Sequence, residues 1–361
     1  MDIVYKNESP LFVMKRGPGL SVRLFPDFSR ARRRIPAGAA RKLAHCAALA
    51  LALSVTPAGA LAQDRYPVKP IRLLTPFAPG GGSDILARII GPQVSEALGQ
   101  TVVVENRPGG GGTVGAGIAV RADPDGYTLI LVSGSYGANG ALHDLPYDSV
   151  TGITPIILIG TTGLLVSIHP SVPITTVKQL IAYARANPNK LNFGSAGTGG
   201  LGHLAGELFK LETKIQFTHI PFKGSGPVMN ALLSGEVDSS FSSLVPSIPH
   251  VRSGRLRAIA ITTPKRSRAV PEVAALGETV PGYDVTHWYG IWGPRNLPRE
   301  IVMRWNQEVA KVLRTDTMQK WLAMEGMEPA GGPPEEFRDR IKGDVEKWKK
   351  VVKQAKIVIT K

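Results

Sequence analysis

Three stretches of the chain place glycines between a strand pattern and a helix pattern. The first is Phe77-Ala78-Pro79-Gly80-Gly81-Gly82-Ser83-Asp84, after the apolar run Ile71–Thr75 and before Ile85, Ile89, Ile90, Val94 and Leu98 at near-helical spacing. Ser83 or Asp84 suits the N-cap of that helix, and Gly99 suits its end. The second is Asn106-Arg107-Pro108-Gly109-Gly110-Gly111-Gly112-Thr113, after Val102–Glu105, and the third is Gly194-Ser195-Ala196-Gly197-Thr198-Gly199-Gly200, before a helix near His203–Lys210. Glycine lets the backbone present bare N–H groups, and a helix N-terminus adds partial positive charge, so each junction can hold an anion without any arginine. A tight turn alone would explain any one such loop. Three in one chain favour an anion-binding cleft.

Other chemistry is sparse. Gly110, Gly112 and Gly115, and again Gly197, Gly199 and Gly202, satisfy GxGxxG, but Asn106-Arg107-Pro108 intervene between strand and glycines in the first case. A dinucleotide fingerprint wants them adjacent. No Gly-Lys-Ser/Thr follows, which removes the P-loop. Beyond residue 62 the histidines are 143, 169, 203, 219, 250 and 287, and none forms HExxH. His203 and Glu207 stand four apart on one helix and could share a metal, although a helix-surface hydrogen bond is the simpler reading. Ser195 lacks the first glycine of a GxSxG elbow and reads as a turn or ligand-contacting hydroxyl. An exported hydrolase using Ser195 and a histidine is the enzymatic alternative.

The elements that position these loops alternate strand and helix, which argues for an α/β fold with parallel sheets. Tyr127–Val132 reads as a strand with the polar loop 133–139 after it, Leu164–Ile168 as a strand entering a second lobe, and Thr175–Asn187 as a helix. Ile215–Ile220, Val237–Phe241, Leu256–Thr262 and Trp288–Trp292 read as further strands, Pro227 as the first residue of a helix that Gly235 ends, and Arg299 and Glu335 as starts of long helices. Without an obvious linker, two α/β lobes suggest that the chain crosses between them more than once. The expected division is lobe one at 63–164 and 286–361, and lobe two at 165–285.

The chain has 361 residues, with 43 Lys and Arg against 28 Asp and Glu, and a single Cys, which excludes a disulfide framework and multi-cysteine metal sites. Residues 1–42 are irregular and basic, Leu43–Val55 is a short apolar run, and Ala60-Leu61-Ala62 offers small residues to a signal peptidase. That is the pattern of a secretory signal, too short to span a bilayer, with cleavage near Ala62. Residues 1–62 carry ten Lys and Arg against three Asp and Glu, so +7 of the formal +15 leaves with them and +8 remains. Basic residues at 252–268 and 338–361 have no interleaved aromatics, so a solvated surface that mildly attracts anions is expected rather than nucleic-acid binding.

The first two glycine loops and Asp123-Pro124-Asp125-Gly126-Tyr127-Thr128-Leu129 resemble signatures of the Bug family, the extracytoplasmic receptors of tripartite tricarboxylate transporters. Gly194–Gly199 with His203-Leu204-Ala205-Gly206-Glu207, Pro221-Phe222-Lys223-Gly224, and Gly235-Glu236-Val237-Asp238 resemble the later ones, in matching order across about 66–350. The chain departs from the family pattern at Gly152-Ile153-Thr154-Pro155, at Ala274-Ala275 and just before Pro281, all away from the two principal loops. The resemblance implies a two-lobed periplasmic-binding-protein fold, type II-like, that closes on a small organic acid: a di- or tricarboxylate, an acidic amino acid or an aromatic acid. It implies a small and a large integral membrane subunit as partners, a periplasmic location, no cofactor, no catalysis and a monomer. A sensor for a membrane kinase is the other binding role open to such a fold. Carried over by position, Gly81, Gly82, Ser83 and Asp84 face Ser195, Gly197, Thr198 and Gly199, with Phe77, Pro79, Gly80, Asn139, His203, Lys223 and Gly224 around them. Trp288-Tyr289-Gly290 would lie where the chain returns to lobe one.

Overall fold

A computed structural model describes residues 66–355 except Glu325. The basic extension and signal expected for residues 1–62 lie outside the described residues.

The described strands join into one sheet in the order β2 (Val102–Asn106), β1 (Ile71–Thr75), β3 (Thr128–Ser133), β9 (Thr286–Pro294), β4 (Ile153–Ile168), β7 (Ser239–Ser243), β5 (Asn192–Ser195), β6 (Thr218–Pro221). β8 (Arg257–Ile261) and β10 (Glu328–Pro329) pair with β4 off this path. At its two ends the sheet is parallel, β1 with β2 and β3, and β5 with β6 and β7. Each of these strands runs into a helix at its C-terminal end: α1 (Gly82–Leu98), α2 (Thr113–Val120), α3 (Ser135–Leu142), α5 (Leu201–Thr213), α6 (Ser225–Ser234) and α7 (Leu244–Arg252), with α4 (Val177–Ala186) leading into β5.

The middle of the sheet departs from the parallel expectation. β9 is antiparallel to β3 and β4, and β4 is antiparallel to β7 and β8. β4 is 16 residues long and changes partners midway: Ile153–Gly163 pairs with β9, and from Leu164 onward the partners are β7 and β8. A long strand that serves two neighbourhoods must run against strands that return from each, so antiparallel pairing belongs to the crossing itself. β9 is buried along eight of its nine residues, with Trp288, Ile291 and Trp292 at 0% exposure, which explains why it reads as a continuous apolar strand.

Two main cores flank the crossing. One gathers Ile71, Leu73, Leu86, Ile90, Val94, Leu129, Leu131, Ile157, Ile291 and Trp305. The other gathers Leu164, Val166, Leu180, Phe193, Leu204, Phe209, Phe217 and Phe241. α8 (Arg299–Leu313) supplies Ile301, Val302, Trp305, Val309 and Val312 to the first from one face, the apolar spacing of an amphipathic helix. After α9 (Asp316–Met324), α10 (Pro334–Ala355) sends Phe337, Ile341 and Val345 into a third cluster with Trp288 and Trp292, while Trp348 joins the second core.

Candidate functional site

β1 ends at Thr75 and the chain turns through Phe77–Gly81 into α1, whose first hydrogen-bonded amide is Ile85, donating to Gly81 O at 3.0 Å. The amides of Gly82, Ser83 and Asp84 therefore have no intrahelical acceptor. No side chain caps them, because the N-cap is Gly81 in an extended conformation and not Ser83 or Asp84. The Asp84 carboxylate is turned to another use. Oδ2 accepts from the Gly80 amide at 3.0 Å, and Oδ1 accepts from Arg88 Nε at 2.9 Å and Asn106 Nδ2 at 3.0 Å. Asn106 Nδ2 also reaches Thr75 Oγ1 and Phe77 O. Asp84, 4% exposed, thus ties the loop to β2.

The start of α1 borders a narrow cavity lined by Phe77, Gly81, Gly82 and Ser83 from this loop, Ser133 and Ser135 from the end of β3, and His287 and Tyr289 from β9. Across from them stand Leu164, Ala196, Leu201, Gly202, Ser225, Phe241 and Ser243. The space between these walls is about 390 Å3, part of it continuous with solvent. The walls meet at several points. Ala78 N donates to Lys223 O at 3.1 Å, Ser135 Oγ accepts from Leu201 N at 3.0 Å, and Tyr289 Oη donates to Ser243 Oγ at 3.2 Å. A Cβ on Gly82 would collide with the Tyr289 hydroxyl, so glycine is required there by space.

The third glycine loop is built differently. Ser195 is fully buried, and its Oγ lies 2.6 Å from His219 Nε2 and accepts from Gly197 N at 3.3 Å. Gly199 N donates to His203 Nδ1 at 3.1 Å, and Gly200 N donates to Gly197 O. His203 and His219 stack at 4.0 Å between centroids. Burial first, then neighbouring His203 and Lys210, push His219 down to about 3, and burial lowers His203 too, so both rings are neutral near pH 7. Glu207 is 3.8 Å from His203 Nε2 and bonds Lys210, and no group of acidic, histidine or cysteine side chains among the described residues could hold a metal ion.

The expected site residues therefore separate. Phe77, Gly81, Gly82 and Ser83 line the cavity. Gly197, Thr198 and Lys223 line an outer groove of about 210 Å3 with Gly109–Gly111, and the Lys223 side chain is exposed. Pro79 and Gly80 face a second outer groove with Gly226 and Pro227, and Gly224 packs against Ala78. Asn139 donates from Nδ2 to Gly111 O at 3.0 Å, bracing the second glycine loop. That loop has positive φ at Gly109, Gly110, Gly111 and Gly112, and a Cβ on Gly111 would stand 2.5 Å from Thr198 O. It packs closely against the third loop, whose helix α5 also starts without a side-chain cap, at Gly200, with Gly202 on the cavity lining. The cavity hydroxyls of Ser133, Ser135, Ser225 and Ser243, and the rings of His287 and Tyr289, escaped the sequence reading. Runs of small hydroxylated residues at strand ends, Ser133-Gly134-Ser135 and Ser242-Ser243, were the available signal.

A sheet crossed by two antiparallel strands, with an uncapped helix N-terminus facing a second set of loops over a narrow cavity, is the arrangement of a solute-binding receptor. The chain matches the family described as tripartite tricarboxylate transporter family receptor over residues 86–357, and it belongs to that family. It is 33% identical over 331 residues to a protein from the tcbD-tcbE intergenic region of Pseudomonas sp. strain P51, covering 91% of this chain and 96% of that one. It is 32% identical over 303 residues to protein BugT of Bordetella pertussis, covering 82% and 92%. Among solved structures it is similar to R. palustris Rpa4515 with adipate, at 36% identity and a TM-score of 0.78, covering 81% of this chain and 99% of that one. It is also similar to MatC from Rhodopseudomonas palustris with bound malate, at 30% identity and a TM-score of 0.76, covering 80% and 100%. The fold is that of the Bug-type periplasmic binding proteins, as the likeness to BugD also shows, at 30% identity and a TM-score of 0.78 with 81% of this chain and 99% of that one covered. Among the described residues no helix is long and apolar enough to cross a membrane.

Proposed function

We propose that this chain captures a small organic acid by seating one carboxylate on the free amides of Gly82, Ser83 and Asp84, and that closure of two halves around β4 and β9 completes the site. The observation that carries this reading is the uncapped start of α1, with Gly81, Gly82 and Ser83 lining a cavity whose walls already touch through Ser135–Leu201 and Tyr289–Ser243. Support comes from the neighbours solved with adipate and malate. The magnitudes agree. A micromolar complex needs about 8 kcal/mol, and hydrogen bonds to a charged group contribute roughly 1.5–3 kcal/mol each, so three amides and a hydroxyl approach that range before the cost of association. The change of partners at Gly163 and Leu164, matched by the entry into β9 at Thr286, gives the halves two adjacent strand connections about which to move. That hinge would divide residues 63–164 and 286–361 from 165–285.

The closed form is what an integral membrane subunit of a tripartite transporter would recognise, since ligand selects it from the open one. The chain would act in the periplasm as a monomer after cleavage near Ala62. A catalytic role for Ser195 has little physical support, because its hydroxyl is fully buried, away from the cavity lining, and no carboxylate hydrogen-bonds His219 among the described residues. Calorimetry against mono-, di- and tricarboxylates tests the reading. Micromolar binding of at least one acid without turnover is expected. Failure of every acid, or ester turnover that vanishes in Ser195→Ala, overturns it. N-terminal sequencing of the periplasmic protein tests the cleavage, and a membrane pull-down separates a transporter partner from a kinase.

A further inference from the structure

His287 stands on β9 beside Tyr289, with ring centroids 4.7 Å apart at 80°, and lines the cavity while only 3% exposed. Neither Nδ1 nor Nε2 has a hydrogen-bond partner, which is unusual for a buried polar group. Other polar groups around the cavity are engaged: Ser135 Oγ accepts from Leu201 N, and Ser243 Oγ accepts from Tyr289 Oη. Burial first, and then the Arg340 charge, press the ring down to about 3, so it is neutral and carries one N–H donor and one bare nitrogen. Gly134 keeps the space beside Nδ1 open, since a Cβ there would come within 3.2 Å of it. A buried donor left unmatched by the protein is an invitation to a ligand oxygen, and a site built to hydrogen-bond a polar group strongly rejects the analogue lacking it.

We propose that His287 is the specificity-determining residue of the cavity, donating from its neutral ring to a second oxygen-bearing group of the ligand, so that the receptor selects bifunctional acids, dicarboxylates above all, over monocarboxylates of equal length. The inference rests on the reading that the α1 amides hold the first carboxylate. One group of the ligand would then meet α1 and the other would meet β9, both within the half of the molecule that contains β1. A monocarboxylate would place methylene groups against the unpaired imidazole and leave it unmatched.

The test is calorimetric titration of saturated α,ω-diacids from malonate to adipate, and of the monoacids of the same chain lengths, into the wild type, His287→Leu and His287→Gln. The wild type is expected to prefer at least one diacid over its monoacid by about tenfold or more, the size of one hydrogen bond to a charged group. His287→Leu should erase that preference by weakening the diacid and leaving the monoacid within about threefold. His287→Gln, which retains a donor, should restore part of it. A preference unchanged in His287→Leu, or equal weakening of both ligands in variants that melt like the wild type, overturns the proposal. A wild type that binds monoacids as tightly as diacids also overturns it while sparing the carboxylate reading. A wild type that binds no acid of either series, nor any tricarboxylate, defeats the carboxylate reading itself.

Discussion

The loops at 77–84 and 194–200 look alike in sequence, each a strand followed by glycines, a hydroxyl and a helix, yet they differ in what they do with their amides. The first leaves the opening turn of α1 uncapped and turns its one acidic side chain, Asp84, backward to Gly80, Arg88 and Asn106. The second engages more of its amides: His203 takes the Gly199 amide, Ser195 takes the Gly197 amide, and Ser135 from the opposite wall takes the Leu201 amide. An anion site needs donors held rigid and unmatched. The first loop offers them along its whole opening turn; the second keeps them only at Gly202 and His203, the α5 amides that no side chain caps, and adds a closing contact through Leu201.

The largest effect should separate the loops outright. Gly82→Val forces a Cβ into the Tyr289 hydroxyl and displaces the amides, so carboxylate affinity should fall by more than about 100-fold, the loss of two charge-assisted bonds, in a protein that still folds. Gly199→Val, by contrast, meets backbone strain at φ +79 and should weaken binding less than tenfold while costing about 1–2 kcal/mol of stability. Calorimetry and urea titration of the pair read both numbers, and equal affinity losses would erase the contrast.

Next is Asp84→Ala, which removes the acceptor shared by Gly80, Arg88 and Asn106 from a buried position. A loss of roughly 2–3 kcal/mol in urea unfolding is expected, with weaker ligand binding as the loop loosens. Unchanged stability would show that the loop does not depend on this lock.

The third prediction concerns pH and belongs to the second loop. His219, pressed to about 3 by burial, His203 and Lys210, with His203 lowered by burial against the opposing pull of Glu207, stays neutral when folded but titrates near 6.5 when unfolded. Between those values the unfolded chain binds more protons, so stability is full above about 6.5 and declines as pH falls toward 3. Each such histidine steepens the decline by up to about 1.4 kcal/mol per pH unit. Unfolding midpoints measured from pH 7.5 to 4 should flatten in His219→Gln; an unchanged slope would count against the buried neutral pair.

The smallest effect is expected at Gly81→Ala. Its φ of −87 is ordinary, and the new Cβ would meet Ser225 and Ala78 only at 3.7 Å. Affinity should change by less than about threefold, and a large loss would mean that position 81 and not 82 sets the approach to the ligand.

Much of this was legible in the sequence because it is local. The α1 pattern, the αL ends at Gly99 and Gly235, and the amide-presenting run before Ser83 follow from glycine chemistry and helical spacing. The alternation of strands and helices at both ends of the sheet follows in the same way. What was not legible depends on distant pairing. β4 reads as a strand only from Leu164, because nothing in Ile153–Gly163 announces that it pairs with a strand more than 120 residues later. α3 reads as a loop because Ser135, Gly137, Asn139 and Gly140 are weak helix formers, and packing against α10 outweighs that preference. His287 reaches the cavity only because β9 lies between β3 and β4, and Ser243 only because β7 abuts the far half of β4. Thr198 and Lys223, which the motifs favoured, line the outer groove together with Gly109–Gly111, and Gly111 packs against the Thr198 carbonyl.

The most direct measurement is a crystal structure grown with a saturating diacid that calorimetry shows to bind. The account predicts a carboxylate within hydrogen-bond distance of the amides of Gly82, Ser83 and Asp84; an acid bound elsewhere, with those three amides facing only water, would contradict it.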